Sequence, residues 1–413
     1  KEIPKKGQKK KKKKKSWLEN MTEANHTLEW DSRRRLALQM DEWDELAGFR
    51  REFDIPRYTS VQNNVEEEPS DGPPWNGEGS DRQEVIYLAG NSLGLLPRRA
   101  RQRIASHLDQ WASMGVHGHF QGDEPWFAIE DRPAQLSVHL VGAEKATDVV
   151  YMNSLSVNLH LMMVAFYQPD PSSGRVKILM EEKAFPSDEH LVASQIRFHG
   201  LNPENSIVRV PASSEGHVLC TSAILETLLQ EASTIALILL PGVHYLTGEV
   251  LAIEEVAKEA NRLGIPIGLD LAHAVGNIEL RLQEWGVDFA CWCTYKYLNS
   301  GPGALSGAYL HGRHRHASEL PRFAGWWGHE RASRFMMEPT FVPQEGVRGF
   351  QLSNPSVFAL APVVASLTLF QEAGMPRLVR KSRSLGEYMA RLLSHFLPNE
   401  VAVLTPEARG CQL

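Results

Sequence analysis

From about Val141 onward, apolar runs of strand length alternate with amphipathic segments of helix length. VKILMEE (176–182), STIALILLPG (233–242), IPIGLDLAH (265–273) and VDFACWCTYK (287–296) read as strands. AFPSDEHLVASQI reads as a turn and then a helix, and IEEVAKEANRLG (253–264) as a helix ended by Gly264. Upstream, EVIYLAGNSLGLLP (84–97) reads as a short strand running into a glycine-rich turn, with a helix after it over Arg98–Met114. Residues 22–60 read as helical and charged, and residues 61–82 as a loop or linker rich in proline, glycine and acid. Strands that are apolar throughout, separated by amphipathic helices, predict an α/β fold: a mostly parallel central sheet with helices on both faces. In such sheets the ligand sits beyond the carboxyl ends of the strands. Residues just after each apolar run are therefore the candidates. Asp270 and His273 follow IPIGL, and Lys296 follows FACWC.

The 413 residues, 42% of them hydrophobic, support a large core. The expected division is a lysine-rich leader over 1–20, a helical arm and linker over 21–84, a large domain over 85–355, and a smaller domain over 356–413, which the family resemblance drawn below makes the start of an α+β domain, incomplete. Net charge is −6 but unevenly placed: residues 1–20 hold ten lysines against Glu2 and Glu19, leaving 34 basic and 48 acidic groups, or −14, in the remainder. An acidic body argues against a nucleic-acid partner. The run Lys9–Lys15 could mark nuclear import or RNA binding, but a charge block more commonly forms a solvated tail. Met21 opens MTEANHTLEW, so residues 1–20 read as leader sequence or as an extension from a displaced gene start. No stretch approaches the apolar length that spans a bilayer, so no membrane partner is expected. Four cysteines in so long a chain are no disulfide framework, which points to a reducing, cytoplasmic compartment. Cys291 and Cys293 alternate along one predicted strand and read as small core residues; no zinc pattern is completed elsewhere, and no metal is expected.

Taken singly, Asp270 could be a turn residue, His273 a satisfied core histidine and Lys296 a lysine reaching out to solvent. Together they are more specific. A lysine inside an apolar run is costly unless its charge is paired or removed. Pyridoxal phosphate needs a lysine amine for a Schiff base, a carboxylate facing its pyridinium nitrogen, and a cradle of amides and hydroxyls for its phosphate. MNSLSVNLHLMM (152–163) places Leu155 and Ser156 at a helix start, as such a cradle or simply as a capped helix. FPSD (Phe185, Pro186, Ser187, Asp188) follows a strand end, where Phe185 could stack on a ring and Asp188 could reach a ring substituent.

GNSLGL, MNSLSVNLHLMM, AFPSD, GVHYLTGEV, LDLAHAVGN, WGVDFACWCTYKYLN, GWWGHE and FQLSNPSV closely resemble the kynureninases, from about residue 87 to residue 413. That family belongs to the aspartate-aminotransferase-like fold of pyridoxal-phosphate enzymes. The resemblance implies Lys296 as the Schiff-base lysine, Asp270 at the pyridinium nitrogen and His273 beside the cofactor. It places Leu155 and Ser156 near the phosphate, Phe185 to Asp188 around the ring, and Tyr295 at the phosphate and in proton transfer. Trp326 and Asn354 would complete the pocket from the second copy in a homodimer. His119, Ser353 and Asn354 would contact the substrate's aromatic ring and favour 3-hydroxykynurenine over kynurenine. The implied reaction is hydrolysis of either substrate to anthranilate or 3-hydroxyanthranilate plus alanine, a step of tryptophan breakdown and NAD synthesis. The chain departs from the family at Pro241, where some relatives carry a serine near the phosphate. Family members also continue past ARGCQL into a region with an arginine for the substrate α-carboxylate, and no residue here is assigned to it. Three readings follow: an active kynureninase, another pyridoxal-phosphate enzyme such as an aminotransferase or desulfurase, or an impaired form that holds only cofactor or a partner chain. His119, GWWGHE and SNPSV favour the first.

Overall fold

The computed structural model describes residues 30–57, 84–212 and 218–413. The linker expected over 61–82 and the lysine-rich segment over 1–20 lie outside them. The chain forms two compact units, residues 1–48 and 49–413. The described part of the first is built on helix α1 (Trp30–Glu42).

The second unit opens with a two-residue ribbon, β1 (Phe53–Asp54) antiparallel to β2 (Leu96–Pro97). Residues 85–89 form no strand: apart from a lone bridge between Arg57 and Glu84, the expected strand there is absent. Ile86 and Leu88 are largely exposed, so this apolar run has no sheet to bury it. Helix α2 (Arg98–Met114) has the bounds expected for it, and α3 (Asp131–Val141) follows.

The main sheet comprises β3 (Val149–Met152), β4 (Lys177–Glu181), β5 (Ile207–Val210), β6 (Ile235–Pro241), β7 (Ile267–Asp270), β8 (Phe289–Trp292) and β9 (Ser306–Leu310). Its order is β3-β9-β8-β7-β6-β4-β5, and β9 alone runs antiparallel to its neighbours. The period-2 alternation of a strand sends successive apolar side chains to opposite faces. Leu179, Ile238 and Leu240 join one core cluster with α6 (Thr221–Glu231), α7 (Ile253–Leu263) and α8 (Val357–Ala373). Ile178, Met180, Leu237 and Leu239 join the other with α4 (Leu155–Phe166) and α5 (Pro186–Phe198). Helices on both faces explain why the strands are apolar throughout. Gly264 stops α7 in the left-handed region at φ 65° and donates its N–H back to Asn261 O. Gly268 and Gly307 leave room for the rings of Phe289 and Trp292 from the neighbouring strand, where a methyl group would overlap them.

Two strands are shorter than their apolar runs. β7 ends at Asp270 and β8 at Trp292, so Cys293 and Lys296 lie beyond the strand in a tight turn. Asn299 N donates to Lys296 O (3.0 Å), Ser300 N to Thr294 O (3.0 Å) and Thr294 Oγ1 to Leu305 O (2.8 Å). Asn299 takes φ 52° there, which asparagine tolerates better than most residues. Both Cys291 and Cys293 are buried free thiols. Residues 356–413 are mainly α8 and α9 (Met375–Phe396). The final stretch, residues 408–413, is hydrogen-bonded to neighbouring loops. Val250 N donates to Ala408 O (2.8 Å), Cys411 N to Asn277 Oδ1 (2.9 Å) and Gln412 Nε2 to Tyr245 O (2.8 Å). Among the described residues no single helix is long and apolar enough to cross a membrane, and no cluster could hold a metal ion.

Candidate active site

The carboxyl ends of β3, β4, β6, β7 and β8 and the start of β9 open onto one cavity of about 220 Å³. Its lining includes Leu155, Ser156, Phe185, Ser187, Asp188, Asp270, His273, Tyr295 and Lys296, which the sequence had singled out from four separate stretches.

After β3 the chain turns through Asn153 at φ 46°. Asn153 Nδ2 donates to Asn158 Oδ1 (3.0 Å), and Asn158 Nδ2 to Met152 O (2.9 Å), which fixes where α4 begins. The N-cap residue Ser154 makes no side-chain capping bond, so the first-turn N–H groups of α4 have no cap from it. Ser156 Oγ lies 3.0 Å from Ser187 Oγ at the start of α5. Pro186 is the first residue of α5, where its missing N–H costs nothing. It does not line the cavity; Phe185 before it does, 46% exposed, with its ring centroid 5.8 Å from Lys296 Nζ. Pro241 also lines the cavity and brings neither hydroxyl nor N–H.

Lys296 Nζ is 2.9 Å from His273 Nε2. Burial, then the Lys296 charge, pushes His273 down to about 4, so the imidazole is neutral at pH 7 and accepts from the amine. Asp270 Oδ1 accepts from Ala272 N at 2.7 Å. Burial raises Asp270, and it pushes the neighbouring Asp188 up to about 9, with the charges of Asp270 and Glu181 adding to the effect. The Asp270 charge favours a protonated Asp188, while Ala272 N and Lys296 favour the anion at Asp270. Burial also pushes the Tyr295 phenol up to about 12, so it stays protonated and can donate.

Pyridoxal phosphate fits these residues. Lys296 presents an amine for its aldehyde, and the first turn of α4 with Ser156 presents donors for a phosphate. Buried Asp270 presents an anion for a cationic ring nitrogen.

Besides Pro186, four singled-out residues do not line this cavity within the chain. Trp326 is half exposed and donates its Nε1–H to Arg334 O at 3.1 Å. His119 is exposed and meets Trp126 edge-on with centroids 5.4 Å apart. Ser353 and Asn354 are exposed. The structure adds Glu181, Val243, Tyr245 and Ser306 to the lining. Glu181 ends β4 as Asp270 ends β7, so the strand-end rule that found Asp270 also applies to it.

Residues 139–409 match the aminotransferase class-V family. Proteins named kynureninase are similar over most of the chain. One from Xanthomonas campestris pv. campestris (strain 8004) is 49% identical over 80% of this chain and 78% of its own length. One from Myxococcus xanthus is 44% identical over 91% and 84%, and one from Flavobacterium psychrophilum 42% over 91% and 84%. Among solved structures, the cystine C-S lyase C-DES superposes with a TM-score of 0.61 at 18% identity, covering 75% of this chain and 78% of that one. A cysteine desulfurase from Thermococcus onnurineus gives 0.59 at 17%, covering 75% and 73%. These two likenesses concern the fold alone. With 42–49% identity over 80–91% of its length, this chain belongs to the kynureninases, within the aminotransferase class-V family of pyridoxal-phosphate enzymes.

Proposed function

We infer that this chain hydrolyses L-kynurenine and 3-hydroxy-L-kynurenine, adding water across the Cβ–Cγ bond to give anthranilate or 3-hydroxyanthranilate and L-alanine. The observation that carries the reading is the meeting of Lys296, His273 and Asp270 in one cavity of a chain so similar to proteins of that name. Pyridoxal phosphate, when bound, supplies an electron sink for charge developing on the substrate carbons. Asp270 would keep the ring nitrogen protonated, and Ser156 with the first turn of α4 would hold the phosphate. Lys296 Nζ, once released by the incoming substrate amine, would carry the Cα proton, with neutral His273 Nε2 orienting it. Tyr295, protonated at neutral pH, would donate to the carbon released as water attacks the side-chain ketone.

A homodimer is part of the proposal, with Trp326 and Asn354 completing the cofactor pocket of the other copy. His119, Ser353 and Asn354 would then meet the substrate's aromatic ring and favour the 3-hydroxylated substrate. A cytoplasmic location fits the free thiols Cys220, Cys291, Cys293 and Cys411. The test is an absorption spectrum of the purified protein with pyridoxal phosphate, followed by 3-hydroxykynurenine. The visible band of lysine-bound cofactor should form and fluorescent hydroxyanthranilate should accumulate; Lys296→Ala should lose both. A band that persists in Lys296→Ala overturns the role of Lys296, and a wild-type band without product overturns the hydrolysis.

A further inference from the structure

The mechanism leaves one buried acid in the site unused. Glu181, the last residue of β4, is 3% exposed and lines the same cavity as Asp188, Asp270 and Lys296. Its surroundings differ from those of the other two acids. Asp270 accepts from Ala272 N, and Asp188 feels the Asp270 and Lys296 charges. Among the described residues no hydrogen bond or ion pair joins the Glu181 carboxyl to another side chain. The titratable groups that act on it are Asp188 and Glu189 on α5 and Asp270 on β7, and His273, Tyr245, Tyr295 and Lys296 share the cavity. Glu189 is already paired with Arg209 of β5 at 2.6 Å. The sole cation in the lining is therefore Lys296, which hydrogen-bonds His273 and is the amine the cofactor would consume.

We propose that Glu181 is a positioning residue that balances the charge of the cofactor ring: a neutral acid in the cofactor-free protein, it releases its proton to solvent when the cationic ring enters. The proposal rests on the cofactor reading above. A buried carboxyl with no partner is costly as an anion, whereas a cation nearby favours the anion. Burial, then the charges of Asp270 and Glu189, pushes Glu181 up to about 7. The proton therefore leaves within the neutral range. Below that range Glu181 is protonated with or without cofactor, and well above it ionised in both states. Cofactor affinity thus gains from the carboxylate only as pH rises through neutrality.

The test compares pyridoxal phosphate binding to the cofactor-free wild type and to Glu181→Gln, by absorbance titration at pH 5.5 and pH 8. A single unit of pKa lowering by the ring is a factor of about ten. Glu181→Gln should bind about tenfold more weakly at pH 8 and match the wild type at pH 5.5. Calorimetry in buffers of different ionisation enthalpy should show fewer protons released near pH 7 by the variant. Equal Kd ratios at the two pH values, or unchanged proton release, would overturn the proposal. Failure of the wild type to bind pyridoxal phosphate would instead overturn the cofactor reading. If Glu181→Gln does not fold, Glu181→Asp decides: it keeps a titratable carboxyl and must retain the pH dependence. The cofactor-free proteins give a second readout. Because folding raises this acid, the wild type loses stability as pH rises from the unfolded value toward 7. Glu181→Gln should show a smaller loss, because Asp188 and Asp270 still titrate, and a parallel loss in both would count against the assignment.

Discussion

Gly94 braces the turn that carries Lys296, and replacing it with alanine tests how tightly that turn is held. Gly94 N donates to Tyr295 O at 2.8 Å, so the GNSLGL segment lies directly against the backbone of the turn. A methyl group on Gly94 would overlap Lys296 O and Asn299 Oδ1 and stand 2.7 Å from Asn299 Cα. Two of those atoms are backbone, so no side-chain rotation relieves the contact. Over-packing of this kind costs about 1–3 kcal/mol. With unfolding entropy of roughly 2.1 cal/mol/K per residue over the larger unit, that is a fall in Tm of about 1–4 °C. The catalytic loss should be larger in proportion, because relief must come by moving the turn. A displacement of about 1 Å at a reacting group can cost on the order of 100-fold. Differential scanning calorimetry and steady-state hydrolysis of 3-hydroxykynurenine, run on the same preparation, give both numbers. Wild-type kcat alongside a lowered Tm would refute the bracing argument, because Gly94 would then be a packing residue only.

Two further outcomes concern buried ion pairs away from the cavity. Asp148 is fully buried and meets Arg315 through two hydrogen bonds of 2.9 and 2.8 Å. Asp148→Ala should cost about 3 kcal/mol, since it takes away the buried partner of Arg315 and leaves it the exposed Glu144 at 2.9 Å, while the cofactor band stays; a loss below about 1 kcal/mol by urea unfolding would contradict this. Burial alone would raise the Asp288 carboxyl, but His314 at 2.6 Å and Arg313 at 2.5 Å hold it below the usual carboxylate range. Its contribution is therefore present above the unfolded value and lost as pH falls through the folded one. The stability gap between wild type and Asp288→Asn should be full at pH 7 and shrink below about pH 4, and a gap independent of pH would show that the carboxylate is not the stabilising species.

Much of the sheet was legible because a doubly covered strand has no polar face. Runs such as IALILLP admit few other placements, and the bounds of α2 and α7 follow from the residues that cap them. What was not legible is local competition. EVIYLAG has strand composition, yet Ile86 and Leu88 are exposed, because no neighbouring strand offers a ladder there. Apolar content cannot say where a strand stops, since burial continues past Trp292 and Asp270 into turns that are equally buried. The turn bonds of Thr294 and Asn299 end β8, and these involve atoms that a hydrophobic pattern does not register.

The site was legible in proportion to its chemistry at strand ends. Asp270 stood out because it interrupts an apolar run; Glu181 did not, because VKILMEE closes on two acids and the second reads as a solvent-facing terminus. Yet the parallel arrangement of β4, β6 and β7 brings both to the same edge of the sheet. Glu181 faces the cavity, whereas Glu182, one residue on, is exposed and accepts from Ala212 N. One step along the chain thus separates a surface acid from one enclosed with Asp188 and Asp270. That difference sets the charge of the pocket, because an enclosed carboxyl without a cation holds its proton while an exposed one does not. His119, Ser353 and Asn354 came from resemblance rather than from any such rule. They stand on exposed segments, where the pattern of this one chain marks no enclosure for them to line.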